Sequence, residues 1–149
     1  PSARLRELAL TLPTVTAPAG SYVPARRSGA LVFTAGQLPF VDGALAATGK
    51  IGGEVTPEQG KDLARTCALN ALAAVDALVG LDAVAGVVKV VGFVASAPGF
   101  TGQPGVINGA SELLADVFGE AGRHARSAVG VAELPLGAPV EVELVVELA

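Results

Sequence analysis

Cysteine and histidine are scarce in this chain, which carries one of each among its 149 residues. The single cysteine, Cys67, excludes a framework of intramolecular disulfides. A zinc site takes several Cys or His ligands and a cysteine nucleophile takes a histidine base, so the composition argues against both kinds of centre. Because Cys67 stands in the Ala- and Leu-rich stretch ARTCALNALAAV, we expect it to be a small buried hydrophobic residue.

Runs of basic residues and long apolar runs are also missing. The formal net charge is −4 at pH 7 and no segment is rich in Lys or Arg, so a nucleic acid is not the expected partner. Lys89 interrupts the longest apolar candidate, VAGVVKVVGFVASA, which is too short to span a membrane. The N-terminus has no signal-peptide pattern, and we expect a cytoplasmic protein with no membrane association.

Hydrophobic residues are abundant: they make up 51% of the chain, and the mean hydropathy is +0.57. A monomer would expose part of this apolar surface to water, which favours burial against further copies of the chain. The length suits one domain with a real core, and no repeat or composition shift marks a boundary. We therefore predict a single domain over 1–149 that forms a homo-oligomer, with an N-terminal helix and linker over 1–17.

The first third of the chain predicts a short helix, two strands and a long loop. Leu5, Leu8 and Leu12 have the i, i+3, i+7 spacing of a helix. Pro13 would end this helix, and a linker should follow. Two strands, in YVPARR and ALVFTAGQ, should flank a Ser28–Gly29 turn, and Pro24 within the first argues that it is an edge strand. Residues 40–55, rich in Gly and turn formers, are predicted to form a long loop.

The sequence from Thr56 onward predicts two long helices and three strands. Thr56, Pro57 and Gln59 form an N-terminal capping pattern, so the first long helix should begin there and stop at Gly80. A buried strand then follows in VVKVVGFVAS, a second helix in QPGVINGASELLADVFGEAG, and strands in RSAVGVA and VEVELVVEL. This order predicts an α+β fold, a mixed β-sheet with both long helices packed on one face.

Alternation along the last two strands sorts their side chains onto two faces. In the final strand the apolar set should meet the helices, which leaves carboxylates on the opposite face. The apolar set is Val140, Val142, Leu144, Val146 and Leu148, and the carboxylates are Glu141, Glu143 and Glu147. In the preceding strand we expect Val129 and Val131 to face the helices, which would put Arg126 on the side of Glu141.

Arg126 has two interpretations on this pattern. It is either a charge at a strand end that pairs with a glutamate, a common surface arrangement of little energetic value, or part of a recess for an anion. An oligomer favours the recess, because an unpaired charge buried between subunits is costly and needs a purpose. The pattern by itself leaves both interpretations open.

Five sequence blocks carry a recognisable order and spacing. In HARSAVGVAELPLGAPVEVE, an arginine is followed by Ser and then by a Leu-Pro turn, and a carboxylate lies in the next strand. The other blocks are AGSYVPA, LVFTAGQLP, VVKVVGFVAS and VINGA. Over about residues 18–148 the chain thereby resembles the Rid family of reactive-intermediate deaminases, also called the YjgF family.

This resemblance implies a chorismate-mutase-like subunit, a homotrimer with clefts between subunits, and chemistry without metal or organic cofactor. The implied reaction is hydrolysis of a 2-imino acid, such as 2-iminopropanoate or 2-iminobutanoate, to a 2-oxo acid and ammonia. Arg126 would hold the substrate carboxylate through its guanidinium fork. Glu141 would orient the attacking water or accept its proton. Gly36 would let the backbone approach the ligand closely. Tyr22 matches a cleft position and could close over the substrate, and Asn108 matches a position that either contacts the ligand or makes a helix hydrogen bond.

Several positions depart from the family's usual residues. Ala35 stands where Ser is usual before the glycine, and Ala128 stands where Cys is frequent. Gly130 replaces a frequent acidic residue, Glu133 replaces a common arginine, and the loop over 40–55 is longer than usual. These departures leave three functions open: an imine deaminase, a non-catalytic sensor of a small carboxylate in the same cleft, and an endoribonuclease, which the acidic composition disfavours.

Overall fold

A five-stranded sheet with helices on one side dominates the fold, as seen in a computed structural model that describes residues 1–15, 17–18 and 20–149. The helices are α1 (Ser2–Glu7), α2 (Pro57–Val79) and α3 (Gln103–Phe118). The strands are β1 (Ala25–Ser28), β2 (Leu31–Thr34), β3 (Phe40–Val41), β4 (Ala44–Leu45), β5 (Val84–Ala95), β6 (Ala125–Val131) and β7 (Val140–Leu148). The large sheet has the order β1-β2-β7-β5-β6, and β3 and β4 form a separate hairpin.

The large sheet is mixed, as predicted. Strand β6 pairs parallel with β5 through the crossover helix α3, and the other pairs are antiparallel. The predicted apolar set of β7 is buried, and helices α2 and α3 cover that face. The α+β prediction, with two long helices on one face and a short N-terminal helix, is therefore confirmed.

Helix α2 begins and ends where the sequence predicts. The hydroxyl of Thr56 accepts a hydrogen bond from the Gln59 backbone N–H at 3.1 Å, and the Gln59 side chain accepts one from the Thr56 N–H at 2.9 Å. Such a cap contributes about 1 kcal/mol to helix stability. At the other end Gly80 takes a positive φ of 79° and terminates the helix.

Glycine and alanine allow the helices to lie very close to each other and to the sheet. A Cβ at Gly109 of α3 would overlap the backbone carbonyl of Lys61 in α2, so the two helices touch there. A Cβ at Gly92 of β5 would lie 2.5 Å from Ile107, so α3 also rests directly on the sheet. Cys67 is fully buried on α2, and burial raises the pKa of its thiol, in keeping with the predicted hydrophobic role.

The N-terminal helix is shorter than predicted. It ends at Glu7 instead of running to Pro13. Ala9 adopts a positive φ of 56°, and the N–H of Leu10 returns to the carbonyl of Leu5 at 2.9 Å, which is the hydrogen bond of a Schellman termination. Beyond this point Leu10 and Leu12 pack on the core outside any helix, so tertiary contacts override the helical spacing.

The long loop contains regular structure that the sequence prediction missed. Strands β3 and β4 form a hairpin around Asp42 and Gly43, whose φ angles of 52° and 83° suit a tight Asp-Gly turn. The predicted edge strand after Pro24 is confirmed, since β1 lies at one edge of the sheet. The predicted linker over 14–20 includes residues 16 and 19, which lie outside the described residues.

The face of the sheet opposite the helices carries both carboxylates and apolar side chains. Phe33 is 44% exposed and Val129 is 43% exposed on this face, and Val91, Phe93 and Val145 lie partly exposed between them. An apolar surface of this kind suits burial against a further copy of the chain. Within the described residues, no helix has both the length and the apolar character needed to cross a membrane.

Gly109→Ala should destabilise the protein by about 1–3 kcal/mol, because the added methyl group meets immobile backbone of α2. Gly105→Ala on the same helix is the matched control: nothing lies within 4 Å of a Cβ there, and the lower entropy of the unfolded chain should stabilise it by about 0.4–1 kcal/mol. Urea unfolding measures both free energies. Equal stabilities of the two variants would contradict the close contact between α2 and α3.

Candidate functional site

A small recess opens beside Glu141 on the exposed side of the sheet. We call it the Glu141 recess, and it is lined chiefly by Tyr22, Gly36, Gln37, Phe40, Leu136 and Glu141. Its volume is about 110 Å³, below the roughly 300–1,000 Å³ of pockets that enclose drug-sized ligands. The recess therefore suits a small molecule or one part of a larger cleft.

Gly36 and Glu141 are in direct contact in this recess. A Cβ at residue 36 would overlap the Glu141 carboxylate, so a glycine is needed for the carboxylate to lie where it does. Gly36 leaves β2 toward β7, where the backbone N–H of Gln37 donates to the carbonyl of Val142 at 2.8 Å. This backbone pairing brings Gly36 next to Glu141, the residue before Val142 on β7.

Glu141 is half-buried, and its surroundings favour the protonated form. Burial raises the pKa of the Glu141 carboxyl, and the nearby Glu143 carboxylate raises it further. A carboxylate with a raised pKa binds a proton more strongly than a solvated glutamate does. Glu141 can therefore act as a better general base near neutral pH than an exposed glutamate.

Two exposed side chains stand at the mouth of the recess. Tyr22 is 52% exposed, and Leu136 is 66% exposed. Leu136 also has a positive φ of 62°, an unusual backbone conformation for a non-glycine residue. It lies in the Leu-Pro turn that the sequence identifies as a mark of the family, so this turn holds an apolar side chain over the recess.

Arg126 lies on the helix side of the sheet, and the predicted face of β6 is wrong. On β6, Arg126 is in register with Val90 of β5, and Ala128 is in register with Gly92 of β5. Val90 and Gly92 both face the helices, so Arg126 and Ala128 do as well. Val129 instead lies on the exposed face. The prediction assumed that only one face of the sheet is apolar; on this edge strand the small residues face α3, and the valines face outward.

Neutral acceptors surround the Arg126 guanidinium. Nη1 donates to Asn108 Oδ1 at 2.8 Å and to Ser111 Oγ at 3.2 Å, and Nη2 donates to the backbone carbonyl of Pro104 at 3.3 Å. Asn108 and Ser111 are three residues apart on α3 and therefore share a helix face. Among the residues that the structure describes, Arg126 forms no ion pair.

His124 extends this network. Its Nε2 lies 2.8 Å from Ser111 Oγ, and its Nδ1 lies 2.6 Å from the carbonyl oxygen of Gly122. We call the four side chains of Asn108, Ser111, His124 and Arg126 the Arg126 cluster. The cluster joins the start of β6 to the middle of α3 through side-chain hydrogen bonds.

Two of the departures from the family's usual residues have structural explanations. A Cβ at Gly130 would lie 2.8 Å from Gln103 Nε2, so a larger residue would displace the Gln103 side chain from its hydrogen bonds to Ser96 and Phe100. The carboxylate of Glu133 pairs with Lys50 Nζ at 3.0 Å, which ties the long loop to the chain after β6. Within the described part of the chain, no group of three or more His, Cys, Asp or Glu side chains is arranged to hold a metal ion.

The predicted site residues fall into two groups. Tyr22, Gly36 and Glu141 meet in the Glu141 recess, and Asn108 and Arg126 meet in the Arg126 cluster. Glu141 pairs in register with Phe93 on the exposed face, so the sheet separates the two groups within one chain. This separation contradicts the expectation that Arg126 and Glu141 share a face.

Sequence reasoning missed Gln37, Ser111 and His124. Two of them had a usable signal in their spacing. Ser111 is three residues after Asn108 on a helix, and His124 is two residues before Arg126 at the start of a strand, so each shares a face with a predicted site residue. For Gln37 the sequence offers only its place beside Gly36.

Comparison with known proteins agrees with this architecture. The family described as "YjgF/chorismate_mutase-like, putative endoribonuclease" matches residues 2–148. Protein TCP17 of Trypanosoma cruzi is 48% identical over an alignment of 149 residues, and the match covers 99% of this chain and 93% of that protein. A structure described as a "putative endoribonuclease" from Shewanella oneidensis MR-1 is 33% identical with a TM-score of 0.94, covering 99% of this chain and 98% of the other.

A more distant structure holds a ligand. E. coli TdcF with bound serine is 25% identical to this chain with a TM-score of 0.67, and the match covers 93% of this chain and 96% of TdcF. The sequence resemblance to the Rid or YjgF family is thereby confirmed by a match over nearly the whole chain and by shared architecture. The chain belongs to the YjgF/chorismate-mutase-like family.

Proposed function

We propose that the protein hydrolyses 2-imino acids to 2-oxo acids and ammonia in clefts between the subunits of a homotrimer. Arg126 binds the substrate carboxylate, and Glu141 of a neighbouring subunit acts on the attacking water. Tyr22 and Gly36 shape the Glu141 side of the cleft, and Asn108 holds Arg126. The reaction takes no metal or organic cofactor in this proposal.

The observation that carries the proposal is the neutral surroundings of Arg126. Its hydrogen-bond partners are an amide oxygen, a hydroxyl and a backbone carbonyl, none of which cancels the positive charge. An arginine that served only as a surface charge would be expected to pair with a glutamate. A guanidinium held in place with its charge uncompensated is ready to bind a carboxylate.

The separation of Arg126 from Glu141 favours a site built by two chains. Each lies on a different side of one sheet, so one chain does not offer both to the same small molecule. The apolar side chains on the exposed face, among them Phe33 and Val129, supply a surface for association. In the proposed assembly this face is buried, and the edge strand β6 of one chain, which carries the Arg126 cluster, lies beside the recess of another.

The chemistry needs few groups. Glu141 accepts a proton from water as the water oxygen bonds to the C=N carbon, and the imine nitrogen gains a proton. The resulting tetrahedral amino alcohol expels ammonia and leaves a C=O bond. Because an imine carbon is already electrophilic, positioning of substrate and water supplies much of the acceleration. TdcF with bound serine supports a small carboxylate as the ligand class.

Arg126→Ala should lower the rate of ammonia release from freshly generated 2-iminopropanoate by about 100-fold, since two charge-assisted hydrogen bonds are lost. Arg123→Ala is the matched control, because Arg123 is exposed at the same end of β6 and pairs with Glu120 at 3.5 Å, away from the Arg126 cluster. A coupled assay of ammonia measures the rates. Full activity in Arg126→Ala would contradict the proposed role of the guanidinium.

Mixed assemblies of two inactive variants should regain activity if each site takes Arg126 from one chain and Glu141 from another. When Arg126→Ala and Glu141→Gln chains are unfolded, mixed in equal amounts and refolded, about one quarter of the interfaces receive both intact residues by random assembly. Activity near one quarter of the wild-type value is therefore expected. Refolding each variant alone is the control, and a mixture without activity would argue for a site within one chain.

Gly36→Ala should lower activity at least tenfold with little loss of stability. The added Cβ displaces the end of the flexible Glu141 side chain and leaves the backbone in place, because Gly36 does not have a positive φ. The activity is measured with 2-iminopropanoate and the stability by urea unfolding. If the displaced carboxylate explains the loss, Gly36→Ala in a Glu141→Gln background should add almost nothing, and an additive loss would count against it.

The same assays distinguish the two other functions. A wild-type protein that binds 2-oxo acids through Arg126 but accelerates no imine hydrolysis would be a carboxylate sensor. Cleavage of RNA that persists through repeated purification, and is unaffected by Arg126→Ala, would support the endoribonuclease named in the family description.

A further inference from the structure

We infer that Ser111 and His124 are positioning residues that determine which edge of the Arg126 guanidinium faces the substrate carboxylate. This inference rests on the proposed function and extends it to Ser111 on α3 and His124 at the start of β6. It follows from the direction of each hydrogen bond in the Arg126 cluster and from the donors that the cluster leaves free.

Arg126 and the Gly122 carbonyl, at the two ends of the network, determine which group donates in each hydrogen bond. Arg126 can only donate, and the carbonyl oxygen of Gly122 can only accept. The hydrogen bond of 2.6 Å to Gly122 therefore places a hydrogen on Nδ1 of His124. In the neutral ring Nε2 is then an acceptor, and Ser111 donates its single hydrogen to it at 2.8 Å. The Ser111 oxygen is left to accept from Arg126 Nη1 at 3.2 Å.

The Arg126 guanidinium has more N–H donors than the network uses. A guanidinium has five N–H groups. Both Nη1 hydrogens are used, by Asn108 and Ser111, and one Nη2 hydrogen is used by Pro104. Among the described residues, Nε–H and the second Nη2–H have no acceptor. Because Pro104 lies on α3 with the two acceptors of Nη1, the Nη2 hydrogen on the Nη1 side is assigned to it. The Nε–H and the other Nη2 hydrogen then lie along one edge of the guanidinium, and a carboxylate binds such an edge through two parallel hydrogen bonds.

The fold holds the outer end of this network rigidly. A Cβ at Gly122 would overlap the carbonyl of Leu114, so the chain at Gly122 is pressed against α3 and its own carbonyl is fixed beside His124. His124 in turn commits the Ser111 hydroxyl hydrogen, so the hydroxyl cannot rotate to donate toward the site. Ser111 thus keeps Nη1 turned toward α3 and leaves the Nε edge for the ligand.

The test measures the affinity of 2-oxobutanoate, a stable analogue of the imino acid, by titration calorimetry on the assembled protein. Ser111→Ala should weaken binding about tenfold, because Nη1 loses an acceptor and the guanidinium can turn. His124→Phe should weaken binding as well, and Ser111→Thr, which keeps the hydroxyl, should bind like wild type. Glu112→Ala is the matched control on α3, since its carboxylate pairs with Lys61 at 2.9 Å, away from the cluster.

A ligand-free measurement separates this inference from the proposed function. In ¹⁵N-labelled protein, the His124 ring should carry its hydrogen on Nδ1, and Ser111→Ala should speed exchange of the Arg126 Nη1 hydrogens with water, because one of them loses its acceptor. A ring with the hydrogen on Nε2, or an exchange rate that Ser111→Ala leaves unchanged, overturns the inference even if no ligand binds.

The measurements of 2-oxobutanoate binding also separate failure of this inference from failure of the proposed function. If Arg126→Ala abolishes 2-oxobutanoate binding while Ser111→Ala and His124→Phe bind like wild type, the inference fails and the proposed function stands. If Ser111→Thr is as weak as Ser111→Ala, the effect comes from helix packing, and the positioning role is again overturned. If wild type and Arg126→Ala bind equally, the proposed function fails.

Discussion

The close approach of α3 to its neighbours is the constraint on which the rest of the structure depends. Gly109 lets α3 touch the backbone of α2, and Gly92 lets it rest directly on β5. A helix held this close extends over the edge strand β6, where only small residues fit beneath it. Arg126 is the long exception on that strand, and it reaches the polar side of the same helix, where Asn108 and Ser111 accept its hydrogen bonds.

The sheet keeps opposite charges apart within one chain. Arg126 lies on the helix side, and Glu141 lies on the other side beside Gly36. An ion pair between Arg126 and Glu141 would cancel the positive charge that an anionic ligand needs. It would also hold the Glu141 carboxylate in its ionised form. Separation instead leaves Arg126 among neutral acceptors and leaves Glu141 half-buried near Glu143, with its pKa raised. Each group thus keeps the property that the proposed reaction requires of it.

The apolar character of both sheet faces explains the high hydropathy of the chain. One face is covered by α2 and α3, and the other presents Phe33, Val129 and their neighbours to solvent. In the proposed trimer this second face is buried, and the association that removes it from water also brings the recess of one chain toward the cluster of another. Stability of the assembly and formation of the site would then depend on the same surface.

The sequence by itself determined the features that local chemistry controls. The Thr56–Gln59 capping box, the stop at Gly80 and the alternation of β7 were all predictable, because caps and alternating burial need only neighbours along the chain. The sequence blocks also identified Tyr22, Gly36, Asn108, Arg126 and Glu141 as candidates. Only the tertiary structure decided that they form two groups, since the facing of β6 depends on its register with β5 and on how closely α3 packs. Burial against the core likewise shortened α1, because contacts distant in sequence outweighed the helical spacing of its leucines.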